Sequence, residues 1–154
     1  MKVPPMMIHE LTREESLVFL GARRYARLGC ARKGQPYVMP IRVARDGDHL
    51  YGFSTFGQKI EWMRKNPLVC VETDEIDSLQ RWCSVVAFGQ YTELPRTPDF
   101  DKERQRAHSL LWPDEEVWEP GYARTITHGK TLELQTVYFR IDLGEVTGRR
   151  AIPT

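Results

Sequence analysis

The sequence predicts a mainly β domain, a barrel or a sandwich, built from six strands and about three helices. Three observations carry this. Apolar residues alternate over several short segments, turn residues such as Asp46-Gly47 separate those segments at short intervals, and only three stretches show helical spacing or a helix cap. The 154 residues suit one domain, 1–154. A chain of this size buries enough surface to fold without a disulfide or metal staple.

Each element has a local reason. Thr12 and Glu15 match a capping box, so a short helix follows and ends near Gly21. Residues 25–31 read as a strand, and Gly34-Gln35-Pro36 turns the chain. Residues 37–45 put Tyr37, Met39, Ile41 and Val43 on one face. Asp46-Gly47 is the strongest hairpin signal, because a type I′ turn requires positive φ, and residues 49–54 return. Ile60 and Met63 or Arg64 then fall at helical spacing, until Asn66-Pro67 stops the helix. Residues 68–73 form a β-branched strand, 72–77 an acidic loop, and 81–94 a long apolar strand in which Gly89 marks a bulge. Pro95 and Pro98 end it. Residues 100–111 read as helix, 112–129 as irregular, and 131–142 as a last strand alternating Val137, Phe139 and Ile141. The long connection over 90–131 is a candidate functional loop.

Composition excludes several classes. Lys plus Arg is 22 against 21 for Asp plus Glu, a net charge of +1, which argues against a nucleic-acid binder. No apolar run reaches the ~18 residues of a membrane helix. Residues 1–10 lack the apolar core and small-residue cleavage site of a signal peptide, so a cytoplasmic protein is expected. Cys30, Cys70 and Cys83 are odd in number and widely spaced, which suits a reducing compartment. His9, His49, His108 and His128 show no metal-ligand spacing, and no metal site is expected.

Charge is distributed unevenly. Residues 16–45 contain no acid but hold Arg23, Arg24, Arg27, Arg32, Lys33, Arg42 and Arg45; residues 46–77 hold seven acids against Lys59, Arg64 and Lys65. Two readings stay open: a one-signed face that attracts an anion, and a solvated face with ordinary cross-strand pairs.

The hairpin return is the sharper candidate. In Phe53-Ser54-Thr55-Phe56-Gly57-Gln58-Lys59 a strand ends in two hydroxyl residues, passes a glycine and enters a helix with a lysine in its first turn. Unpaired N–H groups and the partial positive charge of a helix start, joined by hydroxyls and an ammonium, make a phosphate seat. The other reading is an N-cap hydroxyl beside a solvated lysine. The spacing is not that of a Walker A loop. Ser84 lies in a strand rather than a nucleophile elbow, and no catalytic triad is visible. Trp82, Trp112 and Trp118 can wall a flat aromatic ligand or pack in the core.

These pieces, in their order, resemble the pyridoxamine 5′-phosphate oxidase-like, FMN-binding split-barrel proteins, and among them the nitroimidazole-resistance group. The resemblance runs from about Leu17 to Arg149. It is carried by Ala26-Arg27-Leu28, Gly34-Gln35-Pro36-Tyr37-Val38-Met39-Pro40-Ile41, Asp46-Gly47-Asp48-His49-Leu50-Tyr51, Gly57-Gln58-Lys59-Ile60, Lys65-Asn66-Pro67-Leu68-Val69-Cys70, Trp82-Cys83-Ser84-Val85-Val86, Phe88-Gly89, Phe139-Arg140-Ile141-Asp142 and Thr147-Gly148-Arg149. The resemblance implies a six-stranded antiparallel split barrel with a few short helices, a homodimer, and FMN at the dimer interface. It implies that Pro40, Ile41 and Arg42 approach the flavin and its phosphate, and that Phe53, Ser54 and Thr55 line ring and phosphate. Gln58 and Lys59 then grip the phosphate, and Trp82 and Ser84 border the flavin from across the barrel. Relatives in the nitroimidazole-resistance group often carry His where this chain has Phe53, and the segment here is about one residue shorter.

The implied activity is flavin-dependent oxidoreduction of a small organic substrate, with no nucleic-acid or membrane partner. The chemistry would then reside in the flavin and the positioning in the protein. Other readings are a flavin carrier or sensor without turnover, and the same fold holding a deazaflavin or haem. Residues 112–129, with Trp112, Trp118, Tyr122 and Arg124, are a candidate lid, or else a dimer-packing segment.

Overall fold

Why six of the strands close on themselves is visible in their inward faces. The computed structural model describes residues 2, 4–113, 124–133 and 135–154. Their elements are β1 (Met6–Leu11), α1 (Arg13–Gly21), β2 (Tyr25–Arg32), β3 (Gln35–Asp46), β4 (His49–Thr55), α2 (Gln58–Lys65), β5 (Leu68–Ser78) and β6 (Arg81–Leu94). A 3-10 turn (Pro98–Phe100), α3 (Asp101–Leu111), β7 (Arg124–Thr127), β8 (Lys130–Glu133) and β9 (Thr136–Pro153) complete them. The strands β9, β4, β3, β2, β5 and β6 pair antiparallel in that order, and β6 pairs back onto β9, which closes the ring. Alternation then sends Leu28, Ile41, Leu50, Val71, Val85, Phe139 and Ile141 inward, where each is buried. Together they fill the barrel, and Ile60 and Met63 of α2 pack against them.

The six-stranded antiparallel barrel and its three helices match the expectation. Local signals account for much of that. Thr12 Oγ1 accepts from Glu15 N at 3.1 Å and Glu15 Oε1 accepts from Thr12 N at 2.9 Å, the reciprocal pair of a capping box. Gly89 does mark an irregularity: the β6–β9 register shifts between Ala87 and Gly89, and a Cβ on Gly89 would sit 2.5 Å from the Asp142 carbonyl oxygen.

Three expectations are corrected. First, residues 72–77 are not a loop but the continuation of β5, because Glu72 and Asp74 bind Arg27 of β2 at 2.9 and 2.8 Å. Second, the last ring strand is β9, reaching Pro153, while residue 131 belongs to the separate β7–β8 hairpin. Its second half is held by β6 on one side and by the unpredicted β1 on the other. Third, the loop with positive φ at both central residues is Lys33-Gly34, at 49° and 77°; in the β3–β4 hairpin only Gly47 is positive, at 62°. Of the two readings of the divided charge, cross-strand pairing holds for two of the seven cations: besides Arg27, Arg23 donates to the Asp74 carbonyl oxygen at 2.8 Å and faces Glu75 at 3.5 Å.

A second apolar cluster lies outside the barrel. Tyr51, Leu94 and Tyr138 point outward from β4, β6 and β9, and α3 covers them with Ala107 and Leu111. Phe53 and Trp112 pack against this cluster. Among the described residues no helix is long and apolar enough to cross a membrane.

Candidate functional site

The β3–β4 wall and the start of α2 carry most of the predicted site. In β4, Leu50, Gly52 and Ser54 share one face and Phe53 lies on the other. Ser54 is therefore buried, and its hydroxyl donates to the Thr55 carbonyl oxygen at 3.1 Å. Thr55 remains partly exposed beside the helix start. The N-cap of α2 is Gly57, with no side-chain hydrogen bond, so neither Ser54 nor Thr55 acts as the cap. The first-turn N–H groups of an eight-residue helix are left without a side-chain partner. Gln58 is exposed at its first position, and Lys59 is half-buried. Burial pulls the Lys59 ammonium below its ordinary value, with the nearby Cys30 thiol opposing that shift weakly. Among the described residues no carboxylate pairs with Lys59.

Arg42 is placed by register. It pairs with Phe53 of β4 and with Tyr25 of β2. Its guanidinium carbon lies 4.1 Å from the ring centroid of Trp112 and 5.9 Å from that of Tyr25. Pro40 is exposed on the same outward face, whereas Ile41 is buried, so only its backbone can reach a ligand. Trp118 and Tyr122 lie outside the described residues, and Arg124 begins β7.

Trp82 and Ser84 stand elsewhere. In a ring of six, β6 is three strands from β3 in either direction, or three spacings of about 4.8 Å along the wall. Ser84 lines a groove of about 430 Å³ with Glu10, Leu11, Val86, Thr147 and Arg149. Thr147 and Arg149 pair in register with Val86 and Ser84. The sequence reading missed Arg149 as a site residue because its place follows only from the full length of β9. The structure thus sets Pro40, Arg42, Phe53 and Thr55 on the paired strands β3 and β4, Gln58 and Lys59 at the start of α2, which packs on β2, and Trp82 and Ser84 on the opposite wall.

The donor set fits a phosphate-bearing ligand: helix amides and an ammonium that find no partner among the described residues, with a hydroxyl close by in sequence, and an anion would offset the burial of the ammonium. The fold is a small six-stranded antiparallel β-barrel domain with this donor set at the start of α2. The profile of the pyridoxamine 5′-phosphate oxidase family matches residues 12–150, and the chain belongs to that family. It is 40% identical over 146 residues to an uncharacterized protein of Rhizobium meliloti, covering 95% of this chain and 97% of that one. A crystal structure described as an FAD-binding protein from Mesorhizobium loti is similar with a TM-score of 0.75 and 40% identity, over 94% of this chain and 98% of that one. The fold also matches a candidate 5-nitroimidazole antibiotic resistance protein from Bacteroides thetaiotaomicron, with a TM-score of 0.66 and 16% identity over 96% and 89% of the two chains.

Proposed function

We propose that this protein binds a flavin nucleotide between two copies of the chain and uses it as an oxidoreductase on a small organic substrate. The observation that carries the reading is Lys59: a half-buried cation without a carboxylate among the described residues, at an uncapped helix start that follows Thr55 in the chain and opens with Gln58. Desolvation of an ammonium costs free energy that a bound phosphate returns. FMN is the ligand the site residues suggest. FAD is the second reading, favoured by the description of the Mesorhizobium loti relative; the two share the ring, ribityl chain and first phosphate.

Two copies are supported by geometry. A flat ring bound outside one wall does not reach the opposite one through a packed interior. The face running β3–β2–β5–β6 joins the two walls and exposes large apolar residues, with Val38 at 64%, Leu68 at 62% and Phe88 at 50%. Val38, Gly29, Cys70 and Phe88 lie in one cross-strand row. Such a face suits an isologous contact. A two-fold axis between β2 and β5 sets β3 of one copy on β6 of the other, so Lys59 and Arg42 meet Ser84 and Trp82 of the second copy. The family's description as an oxidase supports redox use. The isoalloxazine ring, when bound, supplies the hydride chemistry, and the chain holds and orients it. The three free thiols suit the cytoplasm.

The test is the absorption spectrum of the purified protein and mass spectrometry of the ligand released on denaturation. FMN or FAD is the expected product, followed by NADH or NADPH consumption with small organic acceptors. Release or selective uptake of haem or a deazaflavin instead would overturn the cofactor assignment. Flavin release without turnover would leave a carrier and remove the enzyme.

A further inference from the structure

We propose that Trp112 is a positioning residue for Arg42, holding the guanidinium by the face of its indole so that the N–H donors stay free for the flavin phosphate. The inference rests on the flavin reading above and deepens it. Other arginines of the fold are held by carboxylates. Arg27 binds Glu72 and Asp74, Arg64 binds Glu93, and Arg106 binds Asp46, each at 2.9 Å or less. Those contacts consume donors. Arg42 has no hydrogen bond or ion pair among the described residues, yet its side chain is held: Trp112 lies 4.1 Å from the guanidinium carbon. A cation over a ring face is attracted by the π-system without using an N–H group. Among the described residues nothing takes the five donors of the planar fork, which remain for an anion.

The indole is braced. Trp112 caps the C-terminus of α3, its N–H donating to the His108 carbonyl oxygen at 2.8 Å. Its ring meets Phe53 edge-on, with centroids 5.9 Å apart and planes at 83°, and Phe53 in turn tilts against Tyr138 at 5.1 Å. Phe53 is thus part of the support for Arg42. The indole Nε1 is buried and bonds nothing among the described residues. What the site uses is the ring face, and Trp offers the strongest one.

The experiment measures FMN and riboflavin affinity on the full chain by flavin fluorescence, for the wild type and for Arg42→Gln, Trp112→Phe, Trp112→Leu and Arg42→Gln/Trp112→Leu. Riboflavin lacks the phosphate, so the ratio of the two affinities isolates the anion contact. Arg42→Gln should lower the preference for FMN by about tenfold. Trp112→Leu should lower it by about threefold to tenfold, and Trp112→Phe should keep most of it. Trp112→Leu should add nothing once Arg42 is gone. Equal weakening of FMN and riboflavin by Trp112→Leu would show a merely structural role, and an unchanged preference would show none; either overturns the proposal while Arg42→Gln upholds the phosphate contact. An unchanged preference in Arg42→Gln would instead remove Arg42 from the phosphate site, and the proposal with it. Should Trp112→Leu fail to fold, Trp112→Met supplies the same comparison.

Discussion

Two groups of cations on one barrel differ in what they face. Arg23 and Arg27 on the β2 side meet the acidic half of β5, and the strand pairing of β2 with β5 runs directly beneath them. Arg42 and Lys59, on β3 and α2, meet rings and a thiol, with no carboxylate among the described residues. The first group serves the fold: it allows a strand rich in Glu and Asp to continue as a strand. Within the second group, Lys59 carries a desolvation cost that no carboxylate among the described residues relieves. A basic stretch in the sequence is thus two different things once folded, and only the unpaired part points to a ligand.

The largest effect expected from breaking this contrast is at Lys59. Lys59→Met should weaken FMN binding by about 10- to 100-fold, the loss of one charge-assisted phosphate contact. The same variant should melt slightly higher without ligand. A lysine whose folded pKa lies below its unfolded value adds stability only above that unfolded value, and loses it as pH falls through the folded one. Near neutral pH the buried ammonium is therefore a net cost, and removing it helps. Fluorescence titration and thermal melts check the two signs. Unchanged affinity together with a lower melting point would make Lys59 a structural residue.

The next effect sharpens the contrast between opposite walls. Ser84→Trp should block the β6 wall as Lys59→Met disables the β3 wall. Mixed and allowed to exchange, the two variants form hybrids in which one of two sites is intact. About a quarter of all sites should then regain full affinity under random pairing. No recovery, with hybrids demonstrated by mass, would mean that both walls of one chain serve the same site.

Legibility in the sequence divides along a similar line. The Thr12–Glu15 box, the Asn66-Pro67 stop and the Gly57-Gln58-Lys59 helix start were readable because each acts within a few residues. The acidic strand was not: Glu72 and Asp74 look like loop residues until Arg27, 45 and 47 positions away, lies beside them. Strand β1 was missed because its partner is the end of β9, 137 to 147 residues further on by the register from Leu11–Gly148 to Met6–Pro153, and that partner's glycines and arginines resemble a tail. At the site, the inward turn of Ser54 was implicit in its period-two spacing from Leu50 and Gly52, whereas the contact of Arg42 with Trp112 depends on where α3 docks, which no local pattern specifies.

The smallest effect expected is at a paired cation close to the site. Arg64 sits on the same helix as Lys59 and grips Glu93 through two bonds of 2.9 Å, while Tyr91 donates to Glu93 at 2.7 Å. Burial pushes the Glu93 carboxyl up, but the bonds from Arg64 and Tyr91 outweigh it and hold it below its ordinary value. Such a carboxylate contributes stability above the unfolded glutamate pKa and loses it as pH falls through the folded one. Arg64→Met should therefore cost about 0.5–1 kcal/mol near neutral pH, given that both side chains keep contact with water. The gap from the wild type should close below about pH 4 as Glu93 is protonated. FMN affinity should stay within about twofold, because Arg64 is already spent on Glu93. A large loss of affinity in Arg64→Met would mean that the whole start-to-end geometry of α2, rather than the unpaired ammonium of Lys59, sets the site, and the division between paired and unpaired cations would lose its functional meaning.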